Sequence, residues 1–230
     1  MELLGFFEFS SSRNTISLPT GAQRLLALLA LQNDGTSRAT AAEQLWPDCP
    51  SCRAAANLRS ALCQARRVGS VTVIECVGQR LRLSDSVGID LHRTAESARQ
   101  IIAGQSPLPA GGETLVEDLS KELLPGWSED WLTLERERWD QLRVHALESL
   151  AQQFQEEQQY LQALQTALAA IAIDPFRETA HRTLVEVHVA EGNFASALKR
   201  YHDYQAFLQQ ELDVAPSPQM TQLVQELMSA

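Results

Sequence analysis

A mainly α fold in two parts is what these 230 residues predict: an N-terminal part of short strands and helices, then an all-helical part. Three observations point to it. Runs of aromatic and β-branched residues at strand spacing end at Ser84, and after Asp90 the chain carries only long helical patterns. The C-terminal part also repeats itself at an offset of 34 residues. A hydrophobic content of 44% excludes general disorder and leaves enough apolar side chain for two cores.

The elements follow in order. LLGFFEF and TISL, around a Ser-rich turn at Ser10 to Ser12, read as short strands of a small antiparallel sheet. After Pro19, Thr20 is placed to cap a helix through GAQRLLALLALQN, whose leucines fill more than one face and so require burial. Asn33, Asp34 and Gly35 end it. Ser37 caps a second helix, RATAAEQLW, closed by Pro47, with Thr40 standing where a reciprocal capping box needs Glu or Gln. A third helix runs from about Cys52 to Val68, and Val71 to Val77 with Arg80 to Ser84 form a hairpin around Gly78 and Gln79. Strands, three helices and a closing hairpin compose a winged helix over Met1 to Arg93.

From Thr94 to Ala230 the expectation is a tetratricopeptide-like helical domain. Gly104 to Gly112 is a loop and Pro125-Gly126 a break; a long helix then spans about Ser128 to Glu156, with Trp131, Leu134, Leu142 and Leu150 among its apolar positions. Leu150 and Ala151 match Leu184 and Val185 at the repeat offset, while Tyr160, Ala163 and Leu164 match Phe194, Ala197 and Leu198. Pro175 and Pro216 fall where second helices of such pairs should stop.

Charge divides along the chain. Met1 to Arg93 holds 10 Lys+Arg against 8 Asp+Glu, which is +2; Thr94 to Ala230 holds 9 against 21, which is -12. Within the first part, Arg53 to Arg82 has six arginines and one acid, Glu75, so a +5 patch lies inside an acidic protein. The opening MELLGFFEFSSS has no basic region and is broken by Glu8, so it reads as neither a signal peptide nor a membrane anchor. A cytoplasmic protein with reduced thiols and no membrane contact is expected.

Placed at 100° per residue, the third helix turns Leu58, Leu62, Ala65, Ala61 and Ala55 toward a core. Arg53, Ala56, Ser60, Cys63, Gln64 and Arg67 take the far side, with Asn57 and Arg59 on its flanks. Small residues ringed by arginines and amides suit a major groove, where Arg reads guanine and Asn or Gln reads adenine. A solvated surface face is the plainer account of such a helix taken alone; the flanking helix and hairpin favour the DNA reading. The hairpin tip, Gln79 and Arg80, suits a minor groove or the sugar-phosphate backbone, with Arg80 and Arg82 on one strand face and Leu81 and Leu83 on the other.

Other chemistry finds little support. Cys49 and Cys52 have the spacing of half a metal site without a second half, Cys63 projects from the far helical face, and Cys76 points inward on a strand. His181 and His188 are two helical turns apart. No phosphate loop, nucleophile elbow or HExxH is present, so neither an enzyme nor a cofactor is implied.

The blocks LPTGAQRLLALLAL, LWPDCPSCRAAANLRSALCQARR, LLPGWSEDWLTLERERW, AIAIDPFRETAHRTLVEVHVAEGNFASALKRYHDYQAFLQQEL and DVAPSPQM, in this order, resemble the Streptomyces antibiotic regulatory proteins. The resemblance implies an OmpR-type winged helix joined to a bacterial transcriptional activator domain. It further implies binding to direct repeats upstream of promoters as side-by-side protomers, a homodimer on DNA, with assistance to RNA polymerase. Carried across, the recognition helix is Cys52 to Arg67 and the wing is Val71 to Ser84. Thr40 and Ala65 depart from the Glu and Leu more usual in that family, which implies looser packing of the second and third helices.

The sequence therefore reads as a double-stranded DNA-binding transcriptional activator. Its DNA-contacting residues are Arg53, Asn57, Arg59, Ser60, Gln64, Arg67, Gln79 and Arg80. The alternative is a tetratricopeptide adaptor whose winged helix no longer reads DNA, supported by the thin +2 charge and the alanines of the third helix.

Overall fold

The computed structural model describes residues 1–11, 14–32, 34–68, 71–105 and 112–229. The expected turn residue Ser12, the helix-ending Asn33 and residues 106–111 of the Gly104 to Gly112 loop lie outside them. The elements are β1 (Ser10–Ser11), β2 (Asn14–Thr15), α1 (Thr20–Leu31), β3 (Thr36–Ser37), α2 (Arg38–Leu45), α3 (Ser51–Ala65), β4 (Arg67–Val68), β5 (Val71–Thr72), β6 (Ile74–Val77) and β7 (Arg80–Leu83). Helices alone follow: α4 (Asp90–Ile102), α5 (Gly112–Ser120), α6 (Asp130–Glu156), α7 (Tyr160–Ile173), α8 (Glu178–Ala190), α9 (Phe194–Leu212) and α10 (Pro218–Ser229). This is a mainly α chain: a winged helix followed by tetratricopeptide-like helices.

The chain forms two compact units, Met1–Arg93 with Glu122–Glu137, and Thr94–Lys121 with Arg138–Ala230. A single cut after Arg93 thus misses one return. Gly5 donates its N–H to the Glu122 carbonyl, Leu124 donates to the Leu3 carbonyl, and Leu4 and Leu123 form an antiparallel bridge. The Phe7 and Trp127 rings lie 5.8 Å apart, and Trp131 packs on the first core. LLPGW has no periodicity that announces this role. It moves five carboxylates against Arg136 into the first unit, whose charge becomes -2, leaving -8 for the second.

In the first unit α1 is buried on most sides, with Ala22, Leu25, Leu26, Ala27, Leu28, Leu29 and Ala30 all enclosed. Thr20 is its first helical residue, not its cap; the Pro19 carbonyl accepts from Ala22 and Gln23 instead. Ser37 does cap α2, its hydroxyl accepting from the Thr40 N–H at 3.0 Å. Helix α3 turns Ala54, Leu58, Ala61, Leu62 and Ala65 inward, so Ala54 holds the core position expected of Ala55. It stops at Ala65, before Val68, because Arg67–Val68 pairs with Val71–Thr72 as a small hairpin of its own. The wing proper is β6 against β7, with Ile74 opposite Leu83 and Val77 opposite Arg80, and β3 completes a three-stranded sheet on the other side of β7. LLGFFEF is not a strand: Gly5 at φ 84° folds it back so that Glu2 pairs with Glu8.

In the second unit the 34-residue repeat becomes stacked helix pairs. Ala163 and Ala197, matched by the offset, are both fully buried, as are Leu150, Ala151, Leu184 and Val185. Arg143, itself buried, donates to the carbonyls of Leu119, Ser120 and Lys121 and so satisfies the C-terminal end of α5. Glu148 receives both Nε and Nη2 of Arg177 at 2.9 Å, clamping α6 to the start of α8. The His181 ring stacks on Tyr204 at 4.0 Å. Burial holds its pKa below the usual value, with Arg200 acting in the same sense and the Pro175 carbonyl and Glu178 opposing. Burial likewise raises the Tyr204 hydroxyl to about 12. On α6, which runs through both units, the apolar Leu134 is exposed, while Leu132, Trp139 and Leu147 are enclosed.

Two tests follow from this packing. Gly35 has φ +67°, and a Cβ there would lie 2.5 Å from the Leu81 carbonyl oxygen, whereas one at Gly78 (φ +60°) meets nothing. Gly78→Ala is expected to cost about 1 kcal/mol from backbone conformation alone, and Gly35→Ala distinctly more, as read by thermal unfolding. His181 has a folded pKa below its unfolded one, so the unfolded chain binds more protons as pH falls through about 6.5. Stability is expected to fall over that range, and to fall less in His181→Phe; circular dichroism melts at about pH 7.5 and about pH 5.5 measure the difference.

Candidate nucleic-acid interface

Because α3 sends its inner stripe against α1 and α2, the opposite stripe has only solvent before it. Arg53, Arg59, Ser60 and Gln64 are exposed there together with Ala56 and Cys63, while Asn57 is half-buried at the flank. The Arg67 side chain lies outside the described residues. Gln79 and Arg80 sit exposed at the hairpin tip, which is tied down at two points. The Gln79 carbonyl accepts from the Arg38 N–H at 2.9 Å, and the Arg80 guanidinium donates to the carbonyls of Asp34 and Gly35, each at 2.9 Å.

The arginines of this unit divide by what they touch. Arg24 pairs with Glu129, Arg136 donates to the carbonyls of Leu123, Leu124 and Trp127, and Arg80 is held as described. Arg82 meets Glu75 across the hairpin at 2.6 Å. The hydrogen bond from Arg82 holds the Glu75 carboxyl below the usual carboxylate range, opposed by partial desolvation. The one acid counted in the +5 patch thus meets Arg82, and Arg80 is committed to the backbone. Among the described residues Arg53, Arg59 and Arg66 make no ion pair, and all three stand exposed on or just after α3.

Packing brings two further arginines to this face. Arg38, at the start of α2, shares a groove of about 390 Å³ with Arg59 and Gln79. An adjoining concavity of about 210 Å³ is lined by Arg38, Arg59 and Arg66 with Leu62, Cys63 and Cys76, and the Arg38 guanidinium donates to the Cys76 sulfur at 3.5 Å. Three guanidiniums with no carboxylate lining the concavity suit a phosphate. Arg38 is 21 positions from Arg59, and no local pattern links them. Arg66 lies next to Arg67.

All four cysteines are free thiols: Cys49 and Cys76 are half-buried, Cys52 and Cys63 exposed. Among the described residues no three His, Cys, Asp or Glu side chains converge as metal ligands. No helix among them is long and apolar enough to cross a membrane.

Residues 113–228, half of the chain, match the bacterial transcriptional activator domain. The chain belongs to that family. That match accords with the resemblance to the Streptomyces antibiotic regulatory proteins. Over 233 residues it is 28% identical to regulatory protein AfsR of Streptomyces coelicolor, covering 95% of this chain and 23% of that protein. AfsR of Streptomyces griseus is 26% identical over 226 residues, covering 90% and 22%. The chain therefore spans less than a quarter of these relatives. Its fold is similar to that of Mycobacterium tuberculosis EmbR, solved in complex with a low affinity phosphopeptide, with a TM-score of 0.79, 18% identity and coverage of 99% of this chain and 64% of that one.

The division among the arginines of the first unit is measurable without any ligand. Arg53→Ala and Arg59→Ala are expected to leave stability within about 0.5 kcal/mol. Arg80→Ala, which removes two bonds holding the hairpin to the turn before β3, is expected to lower the thermal midpoint more than either.

Proposed function

We propose that the chain binds double-stranded DNA by inserting α3 into the major groove and resting the β6–β7 tip on the neighbouring backbone or minor groove. The single observation that carries this reading is the exposed face of α3, where arginines free of ion pairs flank amide and hydroxyl side chains. In this reading Arg53, Asn57, Ser60, Gln64 and Arg67 read base edges, with Asn57 reaching least far. Arg38, Arg59 and Arg66 hold phosphates, and Gln79 with Arg80 positions the tip. The winged helix and its helical partner unit divide as Met1 to Arg93 and Thr94 to Ala230, with residues 122–137 returned to the first. The protein works in the cytoplasm as an activator at direct repeats. Its acidic helical unit, at -8, is repelled by DNA and turns to protein: a second protomer or RNA polymerase.

One observation favours a rival. The first unit carries a net charge of -2, thin support for a DNA binder, and suits a tetratricopeptide adaptor whose winged helix is only a scaffold. Selection of bound sites from random duplexes separates the two, since an adaptor enriches nothing. On an enriched site, Arg53→Ala is expected to cost roughly 1–3 kcal/mol and to relax preference at particular bases. Arg59→Ala and Arg66→Ala are expected to weaken all sequences alike and to lower the salt slope by about 1. Equal affinity in all three variants would remove α3 from the interface.

A further inference from the structure

We propose that the groove between α2 and α3 binds a small amphipathic organic anion, and that an occupant withdraws Arg38 and Arg59 from DNA. The second clause rests on the DNA-binding reading; the first does not.

The groove exists because both helices present small residues where they diverge. Its walls are Ala39, Ala42, Ala54 and Ala55 with Leu58 beneath, and its volume of about 390 Å³ falls within the span usual for small-molecule sites. Methyl groups line most of it, and they offer water few partners. The polar lining is Arg38 from α2 and Arg59 from α3, then Ser51, Glu43 and Gln79. Arg38 and Arg59 also line the neighbouring concavity, so both stand where the two hollows adjoin. Among the described residues neither makes an ion pair, and the Arg38 guanidinium meets a thiol, a weak acceptor.

An apolar trough ending in two guanidiniums is the complement of a molecule with an apolar body and one carboxylate or sulfonate, which Arg can hold by paired hydrogen bonds. Glu43 leaves the charged lining at a net +1, which matches a ligand with one negative charge. A bare inorganic anion would leave the alanine walls unused. Duplex DNA has no apolar body to fill the trough, yet its phosphates need the same two arginines. Ligand and DNA therefore compete for these arginines although they fill different space.

The probe is 1-anilinonaphthalene-8-sulfonate, which joins an aromatic body to one sulfonate and brightens in apolar surroundings, added to the full chain without DNA. Saturable binding is expected, displaced by decanoate and not by sulfate or decanol. Arg59→Gln and Arg38→Gln are each expected to weaken it roughly tenfold, the loss of one charge-assisted contact. Ala55→Phe, which fills the trough from a half-buried position, is expected to abolish it while the circular dichroism spectrum stays unchanged; Arg53→Gln, outside the groove, is expected to leave it intact. Probe binding that is indifferent to Ala55→Phe and to both arginine changes would overturn the site. With an enriched duplex, decanoate is expected to release DNA from the parent chain and not from Ala55→Phe. Probe bound while DNA stays in place would overturn the competition, and a chain that binds probe but no duplex would sink the DNA reading and leave the groove standing.

Discussion

Helix α1 has almost no polar face. Leu25 and Leu29 share one face, Leu26, Ala27 and Leu28 point in three further directions, and all five are enclosed, so neighbours must surround it. Helices α2 and α3 and strand β7 are those neighbours. Once α3 lays Leu58 and Leu62 on α1, its arginine face has no choice but to look outward, since the two stripes are opposite sides of one cylinder. The wing inherits its place the same way. Leu81 is drawn into that core, and β7 carries β6 and the Gln79 tip with it. A leucine-rich segment with no functional side chain thus sets where every candidate contact points.

Net charge is a poor guide to such a surface, because what a phosphate meets is a handful of nearby groups. The first unit sums to -2, but much of that comes from Glu122–Glu137, where Glu129 is already paired to Arg24. The arginines show the same economy of position. Those that meet carboxylates or carbonyls stiffen the hairpin and the N-terminal fold, while Arg53, Arg59 and Arg66 stand exposed on and beside α3. In the second unit the arginines described in detail are spent on architecture: Arg143 closes a helix end and Arg177 locks a loop onto α6.

Much of the fold was legible because its signals are local. The apolar run of α1, the Ser37 cap, the β6–β7 hairpin and the 34-residue helical repeat each reside in a few dozen neighbouring residues, and burial of Ala163 with Ala197 follows from their matched place at helix crossings. Errors gathered at element ends and in the N-terminal segment. Thr20 and Val68 were misassigned because a proline carbonyl and a second small hairpin ended the helices differently. On a wheel of ideal helical geometry Ala54 lies about 40° from Leu58 and Ala55 about 60°, so the buried place of Ala54 and the half-buried one of Ala55 were both open to the same reading.

The sequence by itself determined which segments are helical, where the hairpin turns, that α3 bears an arginine face, and that paired helices fill the C-terminal part. These depend on periodicity, caps and turn residues within a short stretch of chain. Only the tertiary structure decided that Arg38 stands beside Arg59, that Glu75 cancels Arg82, that Arg80 is bound to the turn at Asp34 and Gly35, and that residues 122–137 return to the first unit. Each joins positions whose meeting depends on how whole elements pack, and packing is set by the summed fit of many side chains rather than by any motif that can be read along the chain.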